Sequence, residues 1–179
     1  MRKFIWAAFA LAVFALSSRA QDVSKLDVSG AYSYMRITSG GGLSLNGVSG
    51  SAAYNLTNWF AGVGDFGYYH ASPAGVGINA FTYTFGPRFS IRGSNKVVPF
   101  FQALIGGSHF PAGVFSISST NPFTFSYGAG ADIPIPGHDQ FAFRPQLDNI
   151  LWRVNGFTIN DVRVSAGIVF HFGERSNPR

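Results

Sequence analysis

The sequence predicts an all-β protein, an eight-stranded antiparallel up-and-down transmembrane β-barrel that follows a cleaved signal peptide. The first observation behind this prediction is segment 79–91, where large apolar residues alternate with small or polar ones. Successive side chains of a strand point to opposite faces, so one face suits lipid and the other a narrow polar interior. The second is a scarcity of charge, and the third is an even number of alternating segments. The apolar positions of segment 79–91 are Phe81, Tyr83, Phe85, Pro87, Phe89 and Ile91.

Composition limits the surface and the partners of this chain of 179 residues, a length that suits one domain. Charged residues make up 12%, about half the usual share, while aromatic residues reach 16%. Much of the surface is therefore expected not to face water. The net charge of +5 falls to +2 once three basic residues of the signal peptide are left out, which gives a nucleic-acid partner no support. The absence of cysteine excludes disulfides, thiolate metal sites and a lipid-modified N-terminal cysteine.

Residues 1–20 have the pattern of a secretory signal peptide. Arg2 and Lys3 precede an apolar run of 13 residues, and Ser18 and Ala20 supply small residues before the cleavage point. The alternative is an N-terminal membrane helix, but a membrane span needs about 20 apolar residues. We therefore expect a signal peptide at 1–20, a barrel at 21–172 and a short periplasmic tail at 173–179.

Eight segments of the mature chain alternate in the manner of strands. They are predicted at about 25–34, 45–56, 60–69, 79–91, 98–107, 123–135, 141–148 and 161–172. The predicted connections alternate between longer loops, at 37–45, 70–78, 108–122 and 149–160, and short turns, at 57–59, 92–96 and 136–140. This asymmetry is typical of outer-membrane barrels and would place both termini in the periplasm. A soluble β-sandwich is the alternative, but its outward positions would then have to be the small, weakly polar set.

Three segments resemble the small OmpA-like outer-membrane β-barrel family. They are FTYTFGPRFS at 81–90, VPFFQALIGG at 98–107 and SAGIVFHFG at 165–173. The resemblance covers essentially the whole mature chain and implies an eight-stranded barrel in the outer membrane. It also implies that Phe172 is the terminal aromatic residue read by the barrel-insertion machinery. Larger members carry a peptidoglycan-binding domain after the barrel, and we expect that function to be absent here.

Inward positions of the predicted strands carry a set of charged and polar residues. Unpaired charges in a narrow interior are costly, so we expect them to pair. The expected pairs are Asp132 with Arg144 about a hairpin centred on His138, Asp148 with Arg163 about loop 149–160, and Asp65 with Arg88 on neighbouring strands. Asp27 and Gln102 complete the inward set. An eight-stranded barrel is filled by its side chains, which favours a structural plug, with a gated ion path as the alternative.

Aromatic residues cluster at both ends of the predicted strands, as interfacial girdles do. The predicted girdle near the turns contains Trp59, Phe60, Phe89, Phe141, Phe170 and Phe172. The predicted girdle near the loops contains Tyr34, Tyr68, Phe81 and Phe123.

No motif predicts a cofactor or a metal. Residues 62–67 match G-x-G-x-x-G, but they lie within a predicted strand, whereas a dinucleotide site needs a helix after the motif. The histidines, at 70, 109, 138 and 171, lack metal-type spacing. His109 beside Ser108 is the nearest candidate for a hydrolytic pair, but no acidic residue is close in sequence, so we expect no enzyme.

The sequence therefore predicts a structural or surface-interaction role in the cell outer membrane. The expected partners are outer-membrane lipids and lipopolysaccharide, the barrel-insertion machinery, and an extracellular ligand bound through the loops. We expect a monomer that binds no nucleic acid. A small porin-like diffusion channel is the main alternative, and a lipid A-modifying enzyme is the second.

Overall fold

A computed structural model describes residues 24–37, 43–72, 78–93, 97–110, 121–154 and 157–173. The predicted signal peptide, most of the predicted tail and much of three predicted loops lie outside these residues. The described chain forms eight strands: β1 (Leu26–Ile37), β2 (Leu43–Asn55), β3 (Phe60–Ala71), β4 (Ile78–Ser90), β5 (Val98–His109), β6 (Phe123–Ile135), β7 (His138–Val154) and β8 (Phe157–Phe172). Within the described ranges, no helix is long and apolar enough to cross a membrane.

The strands close into one barrel in chain order, β1 to β8. Every neighbouring pair is antiparallel, and β1 closes the barrel against β8, with Leu26 opposite Phe172. The predicted all-β, eight-stranded, up-and-down fold is thus confirmed. Leu26 and Phe172 lie at one end of the barrel, which we call the terminal rim. The opposite end, where β1 joins β2 and β7 joins β8, is called the distal rim.

The outer wall is apolar and the inner wall is small or polar, as the alternation predicted. In β4 the exposed fractions are 50% for Phe81, 43% for Tyr83 and 50% for Phe85. The intervening Thr82 and Thr84 are 5% and 3% exposed. The same alternation continues along β3 and β8, so a band of apolar side chains surrounds the barrel.

The predicted loop at 149–160 is wrong, because most of it is strand. β7 runs for 17 residues and β8 for 16, and Val154 pairs with Phe157. Ile150 and Trp152 continue the inward column of β7 and are buried, which explains why the strand does not stop at Asp148. The two residues between the strands, Asn155 and Gly156, form the dipeptide most typical of a tight hairpin.

The β6–β7 turn is tighter than predicted, yet the predicted register is preserved. The turn is Pro136-Gly137, and Gly137 has a φ of 80°, which a side chain would strain. Ile135 pairs with His138, whereas Ile133 pairs with Phe143, and the register shifts at Pro134/Ile135. This irregularity absorbs the extra residues of β7, so the strands beyond it keep the register of a hairpin centred on His138.

Candidate functional site

The barrel interior contains two different regions. The first, which we call the polar network, consists of Asp65, Arg88, Phe100, Gln102, Asp132, Arg144, Gln146, Asp148 and Arg163. The second, called the apolar plug, lies at the distal rim and consists of Met35, Leu45, Tyr69, Ala71, Ala80, Phe110, Ile150 and Trp152. The two regions meet where Tyr69 accepts a hydrogen bond from the guanidinium of Arg163.

Arg163 is the centre of the polar network and is only 2% exposed. Its Nη2 lies 2.8 Å from Asp148 Oδ2, and the two residues are direct partners in the β7–β8 register. Its Nη1 lies 2.8 Å from Asp65 Oδ1 on β3 and donates to Tyr69 Oη at 3.1 Å. Because β3 is not a neighbour of β8, the Arg163–Asp65 bond crosses the barrel interior. One guanidinium therefore joins two carboxylates from opposite walls.

Arg144 and Asp132 form a two-pronged ion pair within the β6–β7 hairpin. Arg144 Nε lies 2.5 Å from Asp132 Oδ1, and Arg144 Nη2 lies 2.8 Å from Asp132 Oδ2. The exposed fractions of Arg144 and Asp132 are 4% and 7%. The bidentate geometry holds the guanidinium plane in a fixed orientation. The structure thus brings together the two residues that the hairpin count places opposite each other.

The expected pair of Asp65 with Arg88 is wrong. In the β3–β4 register Asp65 lies opposite Thr84, and Arg88 lies opposite Ala61, so the two side chains start four positions apart. Arg88 instead donates from Nε and Nη2 to Gln102 Oε1, at 3.1 and 2.8 Å.

Two guanidinium groups share the ring of Phe100. The Cζ of Arg88 lies 4.4 Å from the ring centroid, and the Cζ of Arg144 lies 4.9 Å from it. Each distance suits a cation–π contact, which supports a cation without needing a carboxylate. Phe100 is 4% exposed. This inward aromatic residue on β5 gives Arg88 a second contact beside its hydrogen bonds to the amide of Gln102.

Two amides link these pairs into one network. Gln102 Nε2 donates to Asp148 Oδ1 at 3.3 Å, and Gln146 Nε2 donates to Asp148 Oδ2 at 2.8 Å. Gln102 lies on β5 and Asp148 on β7, so this bond also spans non-neighbouring strands. Asp148 therefore connects the Arg88 group to the Arg163 group.

Asp27 lies inside the barrel but belongs to a separate cluster at the terminal rim. Its Oδ1 lies 2.7 Å from His171 Nδ1, and its Oδ2 accepts a hydrogen bond from Asn55 at 2.8 Å. Arg92 lies 4.0 Å from the same carboxylate, and burial lowers the pKa of Arg92 from its ordinary value. The sequence prediction missed Arg92 because the residue was assigned to a turn.

The apolar plug is the largest feature that the sequence prediction missed. The rings of Phe110 and Trp152 meet edge to face, with centroids 4.8 Å apart. Both residues are at most 1% exposed. They were assigned to loops 108–122 and 149–160, and their inward position follows only if the strand alternation is continued to the distal rim.

A small cavity lies within the polar part of the interior. A cavity of about 10 Å³ lies beside Asp65 and Arg144, and its other walls are mainly serines and glycine. Such a volume holds about one water molecule.

The predicted aromatic residues cluster on the outer wall. At the terminal rim, Trp59 stacks on Phe89 with centroids 5.9 Å apart, and Phe60 contacts both rings. A second group there contains Phe141, Phe170 and Phe172. At the distal rim, the ring centroids of Tyr68 and Phe81 lie 4.8 Å apart. Tyr34 forms a hydrogen bond with Ser44, and Phe123 is exposed.

The suggested hydrolytic pair of Ser108 with His109 is wrong. Ser108 is 0% exposed and bonds Thr124 inside the barrel, whereas His109 is exposed on the outer wall. Neighbouring residues of a strand point to opposite faces, so these two side chains cannot act together.

A different histidine has serine and amide partners at the distal rim. His70 Nε2 lies 3.0 Å from Ser72 Oγ, and His70 Nδ1 lies 2.7 Å from Asn79 Oδ1. Tyr68 Oη also donates to Asn79 Oδ1, at 3.0 Å. All four residues are exposed; Tyr68, His70 and Asn79 lie on the outward faces of their strands, and Ser72 directly follows β3. The sequence prediction missed this group because its loop began at His70, whereas β3 and its alternation continue to Ala71.

Comparisons with known proteins show the fold and do not show a family. No protein-family model matches the chain, and no curated protein matches it. Among solved structures, Neisserial surface protein A has a TM-score of 0.65 and 13% identity, over 83% of this chain and 98% of that one. The N-terminal β-barrel domain of Pseudomonas aeruginosa OprF has a TM-score of 0.58 and 17% identity, over 86% and 100%.

A third similar structure is the outer membrane enzyme PagL, with a TM-score of 0.55 and 18% identity, over 80% of this chain and 98% of that one. At such identities the likeness shows the barrel fold of outer-membrane proteins, which agrees with the fold implied by the sequence resemblance. Since one of these barrels is an enzyme, the shared fold does not decide whether this chain has an activity.

Proposed function

We propose that this chain is an outer-membrane β-barrel with a closed interior, and that its role is structural or one of surface interaction. The observation that carries the proposal is the pair of bonds that cross the interior, Arg163 to Asp65 and Gln102 to Asp148. Hydrogen bonds between non-neighbouring strands place side chains across the lumen, where they would obstruct an open pore. The proposal assigns no catalytic role to the interior.

The outer wall supports placement in a membrane. Its exposed band of aromatic and branched side chains would be costly in water, and closed barrels satisfy every strand edge within lipid. Aromatic groups at both ends of the strands match the two interfaces of a bilayer. We place the terminal rim, and with it both chain termini, in the periplasm. The distal rim then faces the cell exterior.

The proposed partners follow from this placement. Outer-membrane lipids and lipopolysaccharide would surround the apolar band, and the barrel-insertion machinery would act on β8, which ends at Phe172. An extracellular ligand would bind at the distal rim through the connections 38–42, 72–77 and 110–122. We expect the barrel to act as a monomer, because every strand has both of its neighbours within one chain.

Single-channel recording of the refolded mature protein in planar bilayers tests the closed interior. The wild type should show no sustained conductance. Arg144→Ala should also stay closed but lose about 3–5 kcal/mol of stability, because Asp132 is left buried without its partner. Raised conductance in Arg144→Ala without lost stability would identify a gate and overturn the plug.

A further inference from the structure

The group around His70 has the hydrogen-bond order of a serine hydrolase site. Ser72 Oγ contacts one ring nitrogen of His70 at 3.0 Å, and Asn79 Oδ1 contacts the other at 2.7 Å. A nucleophile bonded to a base, and a base bonded to an orienting group, are two of the geometric criteria for such a site. His70 lies near the end of β3 and Ser72 directly follows that strand, while Asn79 lies opposite His70 on β4. The β3–β4 register therefore brings His70 and Asn79 together, and the end of β3 adds Ser72.

The partners of His70 set its tautomer. An amide oxygen only accepts hydrogen bonds, so the Nδ1 of His70 must donate its proton to Asn79 Oδ1. In the neutral ring, Nε2 then carries the lone pair and accepts the hydroxyl proton of Ser72. The second bond to Asn79 Oδ1, from Tyr68 Oη at 3.0 Å, holds the amide oxygen in place. This is the tautomer that a general base for serine requires.

A second histidine at the same rim provides a natural comparison. His109 Nδ1 lies 2.8 Å from Asn121 Oδ1, so it has the same kind of orienting bond as His70. Its neighbour Ser108 points into the barrel, where it bonds Thr124. Among the described residues, His109 therefore has an orienting amide of its own and no serine partner like that of His70. An activity that depends on the complete group should involve His70 and not His109.

The position of the group indicates the class of substrate. Tyr68 and His70 lie on the outer wall, and Phe81, which contacts Tyr68, is 50% exposed on the same wall. An amphiphile in a bilayer carries its acyl esters at the boundary between headgroups and chains, which is the depth at which aromatic girdles lie. The membrane location of the barrel is part of the proposed function. The inference that the substrate is a lipid rests on that location.

We propose that Ser72, His70 and Asn79 form a site that hydrolyses carboxylic esters of membrane amphiphiles. Ser72 Oγ attacks the ester carbonyl while His70 Nε2 takes the hydroxyl proton. The carbon–oxygen bond to the alcohol breaks, the alcohol leaves with the proton from His70, and an acyl-Ser72 forms. Water then attacks this ester with His70 as base, which releases the fatty acid and restores Ser72. Asn79 is a positioning residue that acts through His70.

The first experiment uses the refolded mature protein in detergent with two probes, p-nitrophenyl butyrate and a fluorophosphonate that traps activated serines. We expect hydrolysis of the ester and covalent labelling at Ser72, located by mass spectrometry. Ser72→Ala and His70→Gln should each lower the rate at least about 100-fold, while the matched control His109→Gln keeps it. Heat-modifiable gel mobility shows that each variant is folded.

Asn79 needs a readout that a merely structural role would not change. Asn79→Leu should lower the rate and Asn79→Asp should keep or raise it, because a carboxylate also accepts the Nδ1 proton of His70. Both variants replace a side chain on the outer wall, so their gel mobility should match that of the wild type. Equal rates for the two variants would show that Asn79 does not act through His70.

The second experiment separates the two sources of a lipid ester. Vesicles of a diacyl phosphatidylethanolamine and micelles of lipopolysaccharide are incubated with the wild type and Ser72→Ala, and released fatty acids are measured. If the wild type releases fatty acid from one of these lipids and Ser72→Ala does not, the result supports the proposal and identifies the lipid source. Folded protein that neither labels at Ser72 nor releases fatty acid overturns it. That outcome leaves the closed-barrel proposal untouched, because planar-bilayer recording tests it separately.

Discussion

The polar network and the apolar plug fill the same barrel by different physical means. In the polar network each side chain has a particular partner, such as the Asp65 and Asp148 carboxylates that share Arg163. In the apolar plug, side chains such as Trp152, Phe110 and Met35 pack by shape and volume. The desolvation cost of a buried charge is offset mainly by its ion-pair partner. A buried ring is instead stabilised by packing against all the side chains around it.

Because of this difference, the two regions are expected to contribute differently to strand register and to net stability. A one-residue slip between two strands would turn Asp148 or Arg163 to the lipid face, which is very costly, so the network favours one register. Buried ion pairs nevertheless add little net stability compared with apolar residues of the same size. The plug supplies burial without charge. We therefore expect the network to specify the barrel and the plug to contribute more of its net stability.

The largest effect is expected for Arg163→Met. This change leaves the carboxylates of Asp65 and Asp148 buried without their shared cation. The free energy of unfolding should fall by about 3–5 kcal/mol, the usual cost of breaking a buried ion pair from one side. Urea-dependent unfolding of the refolded protein in lipid vesicles measures it.

A triple variant sharpens this prediction. Combining Arg163→Met with Asp65→Asn and Asp148→Asn removes the charges together, so most of the lost stability should return. If the triple variant is as unstable as Arg163→Met alone, the cost comes from packing and not from unpaired charge. The polar network would then stabilise the barrel mainly through packing, as the apolar plug does.

A somewhat smaller loss is expected in the apolar plug. Trp152→Ala removes a fully buried ring whose centroid lies 4.8 Å from that of Phe110. The free energy of unfolding should fall by about 3 kcal/mol. Trp152→Phe keeps much of the volume and is the matched control, with an expected loss smaller than that of alanine. The same urea measurement applies. Equal losses in both variants would mean that the volume of this side chain does not stabilise the distal rim.

The fold was predictable because it depends on local alternation. A residue's face follows from its parity within a strand, so the outward column of β4 needs no tertiary information. The placement of Asp132 beside Arg144 follows in the same way from the number of residues to the turn. These features depend on one strand or one hairpin.

The contacts across the interior were not predictable from such counting. Whether Arg163 reaches Asp65, and whether Arg88 reaches Gln102, depends on the stagger of strands around the closed barrel. The plug was missed for a different reason. Strand alternation was ended at Asp148, although Ile150 and Trp152 continue it.

The smallest of the three effects is expected where a glycine borders the polar network. Gly128 on β6 lies opposite Asp148 on β7 and faces inward. A Cβ at this position would overlap with Asp148 Oδ1 and with the carbonyl oxygen of Leu147. Because a backbone atom is involved, the strands must shift, and Gly128→Ala should cost about 1–3 kcal/mol in urea unfolding.

Gly62→Ala is the matched control for Gly128→Ala. Gly62 faces outward on β3, and a Cβ there would meet no atom within 4 Å, so its substitution should leave stability nearly unchanged. If Gly128→Ala is as stable as Gly62→Ala, then Asp148 can move without loss, and the network does not depend on a fixed position of that carboxylate. A loss confined to Gly128→Ala would show that the polar network requires the close approach of β6 to Asp148.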